Sequence, residues 1–199
     1  MPNINNIRKT AIMKKLSIPE DVLTQLGFND PNYKSRHLDF DVLIKMNDLL
    51  SEEQKCTVME RQGCHKVGKM AEESKNWGKK HVEKSLDEKL KILSTETEGL
   101  HLNDDGTISL QTCSVDDVGV ARGCHCLKRD YEMKFNSFIE ENPNKASAFS
   151  QFHCGCCAGH QKYHLQNKLG VNLKLKSIGT SAIKTGNNGQ KRIFVYEII

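Results

Sequence analysis

Residues 153–175 read HCGCCAGHQKYHLQNKLGVNLKL, and this stretch decides the fold of the C-terminal part. The segment from Cys156 to Leu169 is typical of a helix, and Gly170 supplies the residue that commonly ends one. Apolar residues alternate directly after this glycine, which predicts a strand. A helix that leads straight into a strand at this point favours a mixed fold.

Helical and strand-like patterns occupy different parts of the chain. Apolar residues recur at helical spacing in 38–50 and again in 81–97. Beyond these segments the apolar residues alternate, first around the hairpin signal at 104–106 and finally at 193–196. Helices first and strands later predict the α+β class, with a helical N-terminal half packed on a C-terminal antiparallel sheet.

Length and charge set the domain count and exclude some partners. The 199 residues suit a single domain, with a helical part at about 1–97 and a mixed, cysteine-rich part at about 98–199. The 29 basic and 25 acidic residues are interspersed and give a net charge of +4, so we expect no nucleic-acid partner. No apolar run has the length of a signal peptide core or a membrane span, so we expect no membrane partner and a cytoplasmic location.

Five of the eight cysteines lie in two short clusters, about thirty positions apart. Thiolates and imidazoles are the side chains that hold zinc, and cytoplasmic thiols stay reduced. The sequence therefore predicts a Cys/His zinc site rather than a disulfide framework. The candidate metal ligands are Cys124, Cys126, Cys154, Cys156, Cys157, His160 and His164.

Helical spacing places several candidate ligands of the second cluster on one face. Cys156 precedes His160 and His164 by four and eight residues, and Cys157 precedes them by three and seven. Either thiol therefore shares a helix face with both imidazoles. The positive end of the helix dipole also favours the thiolate form of cysteines in the first turn.

The first cluster suits an extended segment. Cys124 and Cys126 would point to the same side of a strand, and two thiolates from 154–157 would complete a tetrahedral sulfur site. Arg122 and His153 flank the two clusters. They are candidate ligand-binding residues, because a guanidinium or imidazole there can contact an acidic group of a small molecule.

Three other functions fit the same residues. In a hydrolase, an open zinc position would activate water, or a cysteine of 154–157 would attack with His160 or His153 as base. Four grouped thiolates also suit an iron–sulfur cluster, although the spacing matches neither common ferredoxin pattern. The remaining alternative is that the cysteines only pack as small apolar residues, which we expect of Cys56.

The C-terminal part resembles a known family pattern. The run His153–His160 leads into a helix, Leu169–Leu175 into a strand, and Phe194–Ile198 into a final strand. This order is similar to the 4-vinyl reductase domain superfamily and to bacterial aminothiazoline carboxylate hydrolase-like proteins. The resemblance implies an α+β ligand-binding fold, in some members with a cysteine-bound zinc. The positions most like the family's cysteines are Cys124, Cys126, Cys154 and Cys156.

The expected function is a cytoplasmic small-molecule-binding domain with a Cys/His zinc site. The alternative is a metal- or thiol-dependent hydrolase that acts on a cyclic amide-like small molecule. An exposed edge on the last strand would also allow a homodimer to form by strand pairing.

Overall fold

The computed structural model describes residues 16–27, 40–62, 68–115, 136–145, 151–152, 154–185 and 189–199. The helices with defined bounds are α1 (Glu20–Gln25), α2 (Phe40–Leu49), α3 (Glu52–Gln62), α4 (Lys69–Lys80), α5 (Leu86–Glu96) and α6 (Gly155–Leu169). The strands are β1 (Leu100–Leu102), β2 (Ile108–Val115), β3 (Leu173–Thr185) and β4 (Gly189–Ile198). Residues 136–141 and 151–152 are also helical, and a 3-10 turn covers Pro143–Lys145.

The four strands form one antiparallel sheet in the order β1-β2-β4-β3, which confirms the α+β class. The predicted hairpin around 104–106 joins β1 and β2, with Leu102 opposite Ile108. Helices pack on one face of the sheet, as the helical N-terminal half predicts. Within the described part of the chain, no helix has both the length and the apolar character required to cross a bilayer.

The position of the last strand corrects the reasoning behind a homodimer. β4 lies inside the sheet, hydrogen-bonded to β2 on one side and to β3 on the other. The long edge strand is β3, whose register shifts between Leu175 and Ser177 and again between Thr180 and Lys184. Irregular register and lysines such as Lys174 discourage pairing with another strand, so the fold offers no smooth edge there.

Two clusters of buried side chains form the core, one on each side of α6. The helical cluster joins α1, α2 and α3, and its members include Leu23, Leu43, Met46, Met59 and Phe152. The sheet cluster joins α5 and α6 to the inner face of the sheet, and its members include Leu93, Leu110, Leu165, Phe194 and Tyr196. Because α6 contributes to both clusters, it is the element that ties the helical layer to the sheet.

One helix boundary and one whole helix differ from the sequence prediction. The helix expected over 81–97 begins only at Leu86, because the Ser85 hydroxyl accepts a hydrogen bond from the Glu88 backbone N–H. The Glu88 carboxylate accepts from the Ser85 backbone N–H in return, at 2.8 Å, and this reciprocal cap fixes the start of the helix. The sequence does not predict the helix α4, because its mostly polar residues include few apolar ones at helical spacing.

Candidate metal centre at the start of helix α6

Glycines position the first turns of α6 directly against α3. A Cβ atom at Gly159 would lie 1.7 Å from the Glu60 carbonyl oxygen, and one at Gly155 would lie 2.9 Å from the Met59 Cβ. The two helices therefore touch with backbone against backbone, which only glycine permits. This contact fixes where the cysteine-bearing turn of α6 lies relative to the helical cluster.

The far end of α6 is fixed by α4 in the same way. A Cβ atom at Gly78 would lie 2.1 Å from the Asn167 carbonyl oxygen. Between these two contacts, Lys162 on α6 forms an ion pair with Glu60 on α3. Burial lowers the pKa of Lys162 from its ordinary value, since desolvation disfavours the charged ammonium. Both ends of α6 are therefore clamped, and its side chains have defined surroundings.

The three cysteines of the first turn of α6 lie on two different sides of the helix. Cys154 occupies the N-cap position, is 1% exposed and belongs to the sheet cluster. Cys157 packs against the same cluster and is half-buried. Cys156 is 8% exposed and belongs to the helical cluster. The spacing of three residues groups Cys154 with Cys157 and separates both from Cys156.

Tyr196 marks the sheet side of this turn. Its hydroxyl donates a hydrogen bond of 2.8 Å to the Ala158 carbonyl oxygen, one residue beyond Cys157. Burial raises the pKa of Tyr196 well above 10.0, and the negative charge of a Cys157 thiolate raises it further. The Cys157 sulfur therefore lies within electrostatic reach of a buried hydroxyl.

The two histidines of α6 lie side by side, as their spacing predicts. The ring centroids of His160 and His164 are 4.5 Å apart in an edge-on arrangement, and the Tyr163 ring lies 5.3 Å from that of His164. His164 is buried and His160 is half-buried. Two imidazoles in this arrangement share one face of α6, one to two turns after the cysteines.

The structure brings together some of the predicted metal ligands but describes only part of the set. Among the described residues, no three histidine, cysteine or acidic side chains are grouped closely enough to hold a metal ion. Cys124, Cys126, Arg122 and His153 lie outside the described residues. A complete Cys/His site therefore stays a prediction that needs ligands beyond the described ones.

Two features of the structure are missed by the sequence-based prediction, one at the cysteines and one in the sheet. The first is the Cys-x-x-Cys spacing of Cys154 and Cys157, which is visible in the sequence but less conspicuous than the tighter pair Cys154 and Cys156. The second is Arg192, which is 1% exposed on the inner face of β4 and donates a hydrogen bond of 2.6 Å to the Thr180 hydroxyl. The sequence feature that indicates its burial is the alternation of Arg192 with Phe194 and Tyr196, which places all three side chains on one face of β4.

A cavity of about 480 Å³ lies at the opposite end of α6. Gln166 and Asn167 line it from the helix, and Val171 and Ile198 line it from the sheet side. The 15 residues of α6 rise about 1.5 Å each, so the two ends of the helix are about 20 Å apart. This cavity and the cysteine turn are therefore separate sites.

The buried hydroxyl of Tyr196 predicts a specific alkaline destabilisation. Because its folded-state pKa is raised, the stability that it contributes is fully present below pH 10.0 and is lost as the pH rises through the folded value. Tyr196→Phe should cost about 1 kcal/mol at neutral pH, because the hydrogen bond to Ala158 is lost. It should also make the free energy of unfolding depend less on pH above pH 10.0. Urea unfolding at a series of pH values measures both effects.

The control for this prediction is Tyr163→Phe, because the Tyr163 side chain is only half-buried. This variant keeps the Tyr196 hydrogen bond to Ala158, so it should lose less free energy of unfolding at neutral pH than Tyr196→Phe. If the Tyr196 phenolate instead appears at the pH at which a tyrosine in water ionises, the hydroxyl is not buried in solution.

No family model, curated protein or solved structure matches this chain.

Proposed function

We propose that the chain is a cytoplasmic small-molecule-binding domain built around a structural Cys/His zinc site, to which the first turn of α6 contributes thiolates. The observation that carries this proposal is the placement of Cys154, Cys156 and Cys157 in one turn at the N-terminus of the central helix. Packing alone requires only small apolar side chains in such a turn. Thiols on one side of this turn, at the positive end of a helix dipole, provide soft anionic ligands that suit zinc.

The helix start also suits the electrostatics of a zinc thiolate. Buried thiolates are costly without a cation, and Zn²⁺ compensates their charge. The remaining ligands would come from Cys124 and Cys126, or from His160 and His164 one to two turns further along α6. The resemblance to the 4-vinyl reductase domain superfamily points in the same direction, but the proposal rests on the thiols.

The cavity at the far end of α6 supports the small-molecule part of the proposal. Its lining combines the amide side chains of Gln166 and Asn167 with apolar residues such as Ile198, so it offers a small ligand both hydrogen-bond partners and apolar surface. Because Gln166, the nearest lining residue on α6, lies nine residues after Cys157, a rise of about 14 Å along the helix, we propose a structural rather than a catalytic zinc. The hydrolase alternative would need an open zinc position beside the substrate.

Elemental analysis of the freshly purified, reduced protein tests the metal. We expect about one zinc per chain, bound by four protein ligands. Removal of the metal by a chelator should lower the melting temperature strongly, because a structural zinc contributes folding free energy on the order of 10 kcal/mol at neutral pH. Addition of zinc under reducing conditions should restore the original transition.

Two other results would contradict the proposal. A protein that carries no metal and takes up none under reducing conditions has no zinc site. A protein that loses catalytic turnover on chelation but keeps its melting temperature has a catalytic metal, which would favour the hydrolase.

A further inference from the structure

We infer that Cys154 and Cys157 are the pair of metal ligands that α6 supplies, and that Cys156 is a packing residue of the helical cluster. This inference rests on the proposed zinc site and names its ligands. It differs from the set that the family resemblance implies, in which Cys154 and Cys156 would bind. The reason is the side of the helix on which each thiol lies.

The geometry of one helical turn favours the pair at i and i+3. Residues three apart on a helix have Cβ atoms about 5–6 Å apart, so their sulfur atoms can converge on one ion at about 2.3 Å from each. Cys154 and Cys157 have this spacing, and both pack against the sheet cluster. The same two-residue gap separates the ligands of many structural zinc sites.

Cys156 faces the opposite layer of the molecule. It is buried among the side chains of the helical cluster, which include Met59 and Phe152. Its neighbour Gly155 is held against α3, where a Cβ atom would lie 2.9 Å from the Met59 Cβ. Turning the Cys156 thiol toward the sheet side would therefore require the first turn of α6 to unwind and leave this contact.

Tyr196 belongs to the sheet cluster, against which Cys154 and Cys157 also pack. Its buried hydroxyl donates to the carbonyl oxygen of Ala158, the residue after Cys157. Binding of Zn²⁺ by Cys154 and Cys157 releases the two thiol protons to solvent and leaves a half-site that two further ligands complete. No electron transfer is involved, so the step needs no oxidant.

Zinc binding by single-cysteine variants of the full chain tests the assignment. Cys156→Ala should keep the zinc stoichiometry of the original chain, because it removes only a packing group. Cys154→Ser and Cys157→Ser should each weaken zinc binding by at least about tenfold in competition with a chromophoric chelator, because each removes a ligand from the coordination shell. The inference is wrong if Cys156→Ala loses zinc while Cys157→Ser retains it.

Alkylation of the unmodified protein gives a second measurement that needs no variant to fold. At a temperature below the melting transition of the metal-free protein, mass spectrometry should show that chelation increases the labelling of Cys154 and Cys157 together and leaves that of Cys156 unchanged. Cys56 is the internal control, because burial raises the pKa of its thiol and its labelling should not respond to zinc. An increase at Cys156 with none at Cys157 would overturn the assignment.

The two proposals fail in different ways. If the unmodified protein binds no zinc in either measurement, both the proposed function and the ligand assignment are wrong. If it binds zinc that Cys156→Ala abolishes, the proposed function stands and only the assignment is wrong.

Discussion

Gly159→Ala should destabilise the protein by about 3 kcal/mol, at the upper end of what overpacking costs. The added methyl group would lie 1.7 Å from the Glu60 carbonyl oxygen, which belongs to a helix backbone and cannot move aside like a flexible side chain. In an isolated helix the same substitution would instead be stabilising by about 1 kcal/mol, because alanine has a higher helix propensity than glycine. A loss of stability therefore reports the contact between α6 and α3.

A graded set of glycine variants provides the controls for this prediction. The distance from an added Cβ atom to its nearest neighbour is 1.7 Å at Gly159, 2.1 Å at Gly78, 2.9 Å at Gly155 and 4.0 Å at Gly179. We expect the loss in free energy of unfolding to fall in this order, with Gly179→Ala close to neutral. Chemical denaturation of all four variants measures it. Equal stability of the Gly159 and Gly179 variants would contradict the helix contact.

Phe194→Ala should cost about 3–5 kcal/mol, because it removes a large ring from the centre of the sheet cluster. Phe194 is 0% exposed, and its ring centroid lies 6.5 Å from that of Tyr196 on the same face of β4. It also lies opposite Leu110 on β2 and Ile178 on β3, the two strands that flank β4. The cavity left by the ring is bordered by strands that cannot close around it.

Val195→Ala is the matched control for this second prediction. Val195 is the next residue of β4, so its side chain points to the other face of the sheet, and it is only half-buried. We expect a loss of about 1 kcal/mol, close to the transfer free energy of the removed carbon atoms. Urea unfolding compares the two variants. Equal losses would mean that both faces of the sheet are covered in solution.

The fold class is predictable because its signals are local. The helix of residues 156–169 and its glycine end are correctly predicted, and Gly170 adopts the left-handed conformation with φ 76°. The hairpin between β1 and β2 also follows from a short turn sequence. The helix at 69–80 escapes prediction, since the residues that it buries against the rest of the molecule are mostly small, such as Ala71, Ser74 and Gly78.

The sequence predicts which residue types form the candidate site, but it does not predict which of these residues lie together. The concentration of thiols and imidazoles is a property of the sequence, and the pairing of His160 with His164 follows from helical spacing. The assignment of each cysteine to a side of α6 depends on which layers the helix separates. Spacing alone therefore leaves Cys156 and Cys157 as equivalent candidates.

The sequence by itself determined the α+β class, the central helix and the cluster of metal-binding residue types, because periodicity, turn residues and composition act over a few neighbouring positions. Only the tertiary structure decided that β4 lies inside the sheet, that Arg192 is buried, and that Cys154 and Cys157 face the sheet while Cys156 faces the helices. These outcomes depend on which distant segments pack on each face of α6 and of the sheet. Contacts such as that of Gly159 with Glu60 join residues far apart in the chain, and local patterns do not encode them.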